Sequence, residues 1–164
     1  MDSTFVVRNA TGDQIRIDLS VYDEQNIKAF STDPLINSLY FYNISLERVD
    51  TKSVFINPGI LFSACEALAK FLEKNTKAIL SFYCDPRTDV PRSHLELSPQ
   101  EYRSKLFTKL FEYYTISKNI DCLIHRVLVF NDTTESNNTQ YFHLLGNKNY
   151  KEQIDNISNI VLDK

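Results

Sequence analysis

The chain is short of the residues that punctuate or staple small proteins. Its three glycines, Gly12, Gly59 and Gly146, are too few and too scattered for a phosphate-cradling loop. Neither a Walker A sequence nor a G-x-G-x-x-G turn occurs. A G-x-S-x-G elbow and an H-E-x-x-H helix are missing too, so the common signatures of nucleotide, hydrolase and zinc-protease chemistry are absent. The three cysteines, Cys65, Cys84 and Cys122, are odd in number and each lies in an apolar run. Without a C-x-x-C pair they exclude a zinc ribbon, and buried, reduced thiols are the expectation. No stretch approaches eighteen apolar residues, and the opening Met1-Asp2-Ser3-Thr4 carries no basic, apolar leader. The expectation is a cytoplasmic protein that does not enter a membrane. A basic excess is also lacking: the net charge of −3 at pH 7 argues against nucleic acid as the partner.

What the chain does contain is apolar and aromatic. Over 164 residues, 43% are hydrophobic and 24% charged, the proportions of a single soluble-type domain spanning 1–164. Eleven Phe and nine Tyr with no Trp form an aromatic-rich set. The Phe suit a core between sheet and helices. Buried Tyr needs a hydroxyl partner and is favoured at contact surfaces.

The pattern is organised around residues 57–110, read as helix, buried strand, polar loop and helix. Ala78-Ile79-Leu80-Ser81-Phe82-Tyr83-Cys84 is apolar on both faces, which places it inside a covered sheet. Before it, Asn57-Pro58 has the chemistry of a helix start, and Leu61, Ala64, Cys65, Leu68, Phe71 and Leu72 recur at helical spacing. After it, Ser98-Pro99-Gln100-Glu101 is a capping box. The helix that follows is expected to bury Tyr102, Leu106, Leu110 and Tyr113, with Phe107, Phe111 and Tyr114 beside them. A strand–helix–strand connection of this length favours a parallel crossover.

Strands at 4–8 and 15–19 flank a turn with Gly12, and 38–49 reads as a long strand. Its face with Tyr40, Tyr42, Ile44 and Leu46 is the expected core face, against Leu39, Phe41 and Asn43 on the other. Residues 20–36 give a mixed signal. Strands at 122–130 and 139–145 are expected to pair around a polar turn near Thr134-Glu135. Tyr150, Ile154, Ile157 and Val161 then mark a closing helix. The fold expected is α+β: a single mixed β-sheet with two crossover helices and a C-terminal helix.

The loop after the central strand collects the chemistry. Asp85, Arg87, Asp89, Arg92 and His94 lie at the carboxyl end of that strand, where open sheets with crossover helices bind ligands. Two carboxylates, two guanidinium groups and an imidazole suit a polar ligand or an acidic partner peptide. The plain alternative is a solvated loop of internally paired charges. His125 and His143 fall on the two paired strands and are near neighbours across the ladder, but no third ligand is legible and no metal is implied.

Two resemblances follow from these residues. The order of three strands, helix, strand, helix and two strands resembles the Gcn5-related N-acetyltransferase fold. In that family a Gln/Arg-x-x-Gly-x-Gly/Ala turn holds the pyrophosphate of acetyl-CoA. Here the corresponding turn is Phe55-Ile56-Asn57-Pro58-Gly59-Ile60, with one glycine and no basic residue. More closely, Tyr83-Cys84-Asp85 with Asp89, followed by Arg103-Ser104-Lys105-Leu106-Phe107, resembles a family of small uncharacterised bacterial proteins. That family has a Cys-Asp-x-x-x-Asp strand end before an Arg-x-x-x-Phe helix, and the resemblance implies no named activity. The functional expectation is a non-catalytic protein-interaction module of a bacterial cytosolic system, of immunity, antitoxin or defence-associated type, with another protein as partner and no cofactor. The alternative is an acyltransferase-like enzyme or a binder of a small anionic ligand at the loop.

Overall fold

The computed structural model describes residues 2–8, 12–22, 34–48, 58–84, 97–131 and 139–162. They form β1 (Ser3–Arg8), β2 (Gln14–Val21), a 3-10 turn (Ile36–Ser38), β3 (Tyr40–Arg48), α1 (Pro58–Lys74), β4 (Ala78–Tyr83), α2 (Pro99–Ser117), β5 (Leu123–Asn131), β6 (Thr139–Asn147), a second 3-10 turn (Lys148–Tyr150) and α3 (Lys151–Leu162). The sheet is six-stranded and mixed, in the order β1-β2-β3-β4-β6-β5. The expected α+β architecture is the one observed.

The central strand has the burial its composition requires. Ala78, Ile79, Leu80 and Ser81 are all buried, and β4 sits between parallel β3 and antiparallel β6. Alternation then sends its side chains to two separate cores. Leu80 joins Ile15, Ile17, Leu19, Ile44 and Leu145 under α1 and α2. Ile79 joins Leu39, Phe41, Phe142 and Leu144 against Ile154 and Ile157 of α3. The first core takes the apolar stripe of α1, with Ala64, Cys65, Leu68, Ala69 and Leu72 all at or below 1% exposure.

Two expectations about faces need correction. On β3, Ile44 with half-buried Tyr42 and Leu46 does face α1, but Tyr40 is 59% exposed. Leu39 and Phe41, assigned to the opposite face, are buried as well, because α3 covers that side. On α2 the buried row is Gln100, Ser104, Phe107, Phe111 and Tyr114. Tyr113 is 65% exposed and Ile116 74%. Aromatic and aliphatic residues run all round this helix, so spacing alone did not fix which row turns inward.

The local signals behaved as their chemistry dictates. Ser98 Oγ accepts a hydrogen bond from the Glu101 amide at 3.2 Å, capping α2. Glu101 itself pairs with Lys105 one turn on, at 2.9 Å. Asn119 takes φ 53° where the chain leaves α2 for β5. The proposed cap Asn57 lies outside the described residues, as do 23–33.

β3 and β4 are paired only from Tyr40↔Ala78 to Asn43↔Ser81. Beyond that point β3 continues along β2 to Arg48, while β4 continues along β6 to Tyr83. Pairing between the two parallel strands therefore stops short of their carboxyl ends. At the opposite end of the sheet's second face, the strands β1, β2 and β3 carry a polar network: Thr4 donates to Asp18 at 2.8 Å, and Arg16 pairs with Asp18 and Glu47.

Candidate functional site

The loop residues Asp85, Arg87, Asp89, Arg92 and His94 lie outside the described residues. So do residues 55–57 of the turn that the acetyltransferase resemblance concerns. The described chain on either side of the loop is well ordered by its contacts. Cys84 is buried and its amide donates to the Tyr141 carbonyl at 3.1 Å, extending β4 along β6. Twenty residues on, α2 presents Ser104 to the sheet.

Ser104 begins a chain of polar groups under α2, in which Ser104 and His143 are buried and His125 is half-buried. Its Oγ lies 2.8 Å from His143 Nε2, and His143 Nδ1 lies 2.8 Å from His125 Nε2. The register explains the meeting: His143 on β6 is directly opposite Val127 of β5 and Phe82 of β4. His125, opposite Leu145, is therefore its diagonal neighbour on the same face. Ser104 is 3% exposed and His143 is 0% exposed. Phe82 stacks on the His143 ring at 4.5 Å, Phe107 meets it edge-on at 5.5 Å, and Phe111 meets His125 at 5.5 Å.

Burial in this aromatic cage holds both imidazoles neutral. Desolvation, with the neighbouring Arg126 charge in support, lowers the His125 pKa to about 4. Desolvation and His125 lower that of His143 to about 3. Two proton arrangements satisfy the chain. In one, the Ser104 hydroxyl donates to His143 Nε2 and His143 Nδ1–H donates to His125. In the other, His125 Nε2–H donates to His143, whose Nε2–H donates to Ser104.

Serine, histidine and a second histidine in line are the parts of a nucleophilic relay. At 3% exposure, Ser104 Oγ offers a substrate carbonyl no approach in this conformation. The chain's evident work is to join α2 to β6, beside a second tie in which Gln100 Nε2 donates to the Thr139 carbonyl at 3.2 Å. Both facing histidine nitrogens are spent on each other, and among the described residues no group of three or more His, Cys, Asp or Glu is placed to hold a metal ion. Cys84 and Cys65 are pushed up to about 12 by burial, so neither is a ready nucleophile. Cys122, expected to be buried, is only half-buried.

Neither family models, nor curated proteins, nor solved structures give a match to this chain. Function must therefore be read from its own surfaces.

The most distinctive of those surfaces is the outer edge of β5. Leu-Ile-His-Arg-Val-Leu-Val-Phe-Asn runs for nine residues, and among the described residues its only ladder partner is β6. Sheet edges are ordinarily blunted by Lys, Pro or a bulge. β5 has neither Lys nor Pro, and its one charged residue is drawn aside: Arg126 Nε donates to Asp155 of α3 at 3.1 Å. Val129 on this strand is 52% exposed, and Tyr83, across β6, is 54% exposed. Tyr83 lies on Phe142 at 4.6 Å and edge-on to Phe130 at 6.3 Å. No described helix is long and apolar enough to cross a membrane.

Proposed function

We propose that this chain is a non-catalytic protein-interaction module of a bacterial cytosolic system, of immunity, antitoxin or defence-associated type. The observation that carries the reading is the β5 edge. A long apolar strand without gatekeepers is suited to strand addition, in which an extended segment of a partner supplies the missing backbone hydrogen bonds. Phe130 on this strand, with Tyr83 edge-on to it from across β6, supplies aromatic contact area of the kind enriched at interfaces. The loop residues Asp85, Arg87, Asp89, Arg92 and His94 follow Tyr83 and Cys84 in the chain, and in this reading they are the candidate partner-binding residues.

The test is affinity capture from the native host, with partner identification by mass spectrometry and two matched variants. Val129→Lys should abolish capture of the partner, and Ile116→Lys, on the outer side of α2, should retain it. Both positions are exposed, so both variants should keep the wild-type melting temperature within a degree or two. Equal capture by the two variants would remove β5 from the interface and with it the reading.

One observation favours a second reading. The pairing of parallel β3 and β4 ends at Asn43↔Ser81, and small ligands bind at the carboxyl ends of parallel strands in open sheets. An acyltransferase-like enzyme or an anionic-ligand binder would use those strand ends. Coenzyme A at a hundred times its dissociation constant would stabilise such a fold by about 2.7 kcal/mol. A saturable rise in melting temperature with coenzyme A would support this second reading; under the first, the response is flat.

A further inference from the structure

We propose that the Ser104–His143–His125 chain is a proton-sensitive clasp, and that protonation of its imidazole pair releases α2 from the sheet while the β1–β2–β3 meander stays folded. The inference starts from hydrogen counting. One added proton can still be accommodated in the bonding pattern, since an imidazolium at His143 donates both to His125 Nε2 and to Ser104 Oγ. It does so only as a buried charge among Phe82, Phe107 and Phe111. A second proton, on His125 Nε2, sets two N–H groups against each other and breaks the bond between the rings.

The groups around the pair offer a positive charge no relief. On β5, Arg126 adjoins His125 and is itself cationic, paired to Asp155 on the far face. On β4 and β6, Cys84 and Tyr141 share the face, and burial raises the pKa of each, so both are neutral. On α2, Ser104 is uncharged, the Arg103 charge acts on Cys84, and Glu101 and Lys105, which both act on Tyr141, are paired with each other. On α1, the Glu66–Lys70 ion pair reaches Tyr114, at the far end of the buried row of α2. Among the described residues no carboxylate charge acts on either imidazole, so the proton is taken up by the open form.

The opening is local because of where the histidines sit. α2 is held to β6 by Ser104 and Gln100 at its N-terminal half. Ile15, Ile17, Leu19 and Ile44 of β2 and β3 lie in the core that α1 and α2 share, whereas the rings set against the imidazoles are Phe82, Phe107 and Phe111. Each imidazole with an ordinary value near 6.5 when exposed favours the open form about thirtyfold at pH 5, and the pair together about a thousandfold.

Amide hydrogen exchange of the full chain, corrected for intrinsic rates, tests the clasp. Between pH 7 and pH 5, the amides of Phe107, Phe111 and Tyr114 should accelerate about 500-fold, the product of the two rings' contributions, and, at pH 5, exchange at least tenfold faster than those of Ile17 and Ile44. The variant carrying His125→Gln and His143→Gln should lose the acceleration. Acceleration of α2 in step with β2 and β3, or none at all, would overturn the proposal. If the double variant does not fold, imidazole nitrogen shifts of the wild-type chain decide: both rings must stay neutral in the closed form down to pH 5, and a ring that titrates near 6.5 without α2 opening sinks the clasp.

Discussion

Gly146 is the place where the second core is thinnest. A Cβ built there would lie 2.8 Å from Ile154 Cδ1 and 2.8 Å from Ile79 Cδ1, with the Ala78 carbonyl oxygen at 3.6 Å. Carbon atoms pack at about 3.5–4.0 Å, so Gly146→Ala must displace two methyl groups by about 1 Å each. Both belong to flexible isoleucine ends, but Ile154 and Ile79 are 0% and 1% exposed and have no empty space to retreat into. Overpacking of this kind costs about 1–3 kcal/mol. Removing a glycine from the unfolded chain returns about 0.4–1 kcal/mol. The net expectation is a loss of about 1–2 kcal/mol, read by urea unfolding, and a fall in melting temperature of about 2–8 °C for a domain of this size. Ile154→Val deletes one of the two opposing methyl groups at a cost of about 0.5–1.5 kcal/mol by itself. If the clash is the mechanism, the Gly146→Ala, Ile154→Val double variant is more stable than the sum of the singles predicts, by about 0.5 kcal/mol or more. Strict additivity, or a stabilised single Gly146→Ala variant, would refute the reasoning.

Other expectations can be checked on the same material. Phe107→Ala should cost about 3–5 kcal/mol and Leu80→Ala about 2–5 kcal/mol in chemical denaturation, whereas Asp85→Ala with Arg92→Ala should cost about 1 kcal/mol or less; a loop variant that unfolds the chain would make Asp85 a structural anchor. A thiol reagent at pH 7.5 should modify Cys122 first and leave Cys65 and Cys84 until denaturant is added; rapid native labelling of Cys84 would contradict its burial. Stability should also fall with acid. The imidazoles of His125 and His143 are neutral when folded, with values of about 4 and about 3, so above pH 6.5 they contribute nothing to the pH dependence. As pH drops below 6.5 the unfolded chain takes up protons that the folded chain refuses, and by pH 5 each imidazole costs about 2 kcal/mol. A flat unfolding free energy between pH 7 and pH 5 would show that one ring is charged or exposed in the native state.

The features legible in the sequence were those decided by neighbours along the chain. Ser98-Pro99-Gln100-Glu101 announces a helix start because capping is local chemistry, and the structure has Ser98 making the bond. The β5–β6 hairpin was legible from its polar turn, and with it the closeness of His125 and His143. Of the buried side of α2, Phe107, Phe111 and Tyr114 were legible, but the exposure of Tyr113 was not, because the choice between Tyr113 and Tyr114 is made by the sheet and not by the helix. Ser104 was missed for the same reason. A single serine in step with Phe107, Phe111 and Tyr114 at three- and four-residue intervals was the available signal, and it marks a buried polar partner. On β3 both faces are apolar near Phe41, since α3 arrives from the far end of the chain to cover the second. The site expected at Asp85, Arg87, Asp89, Arg92 and His94 falls outside the described residues, and its chemistry still rests on composition and position.

The placement of β6 between β4 and β5 has a kinetic side. The β1–β2–β3 meander and the β5–β6 hairpin join segments close in the chain, but Leu80↔Leu145 and Tyr83↔Phe142 bring together strands separated by all of α2 and β5. Of the ladders in this sheet, this one closes the longest loop, and the entropy of that closure is met before its contacts reward it. The expectation is that the hairpin docks as a unit against β4 and that Leu145, completely buried at that seam, reports on that step. In a chevron comparison, Leu145→Ala is expected to slow folding, whereas Ile157→Ala, on the C-terminal helix, is expected to act on the unfolding arm.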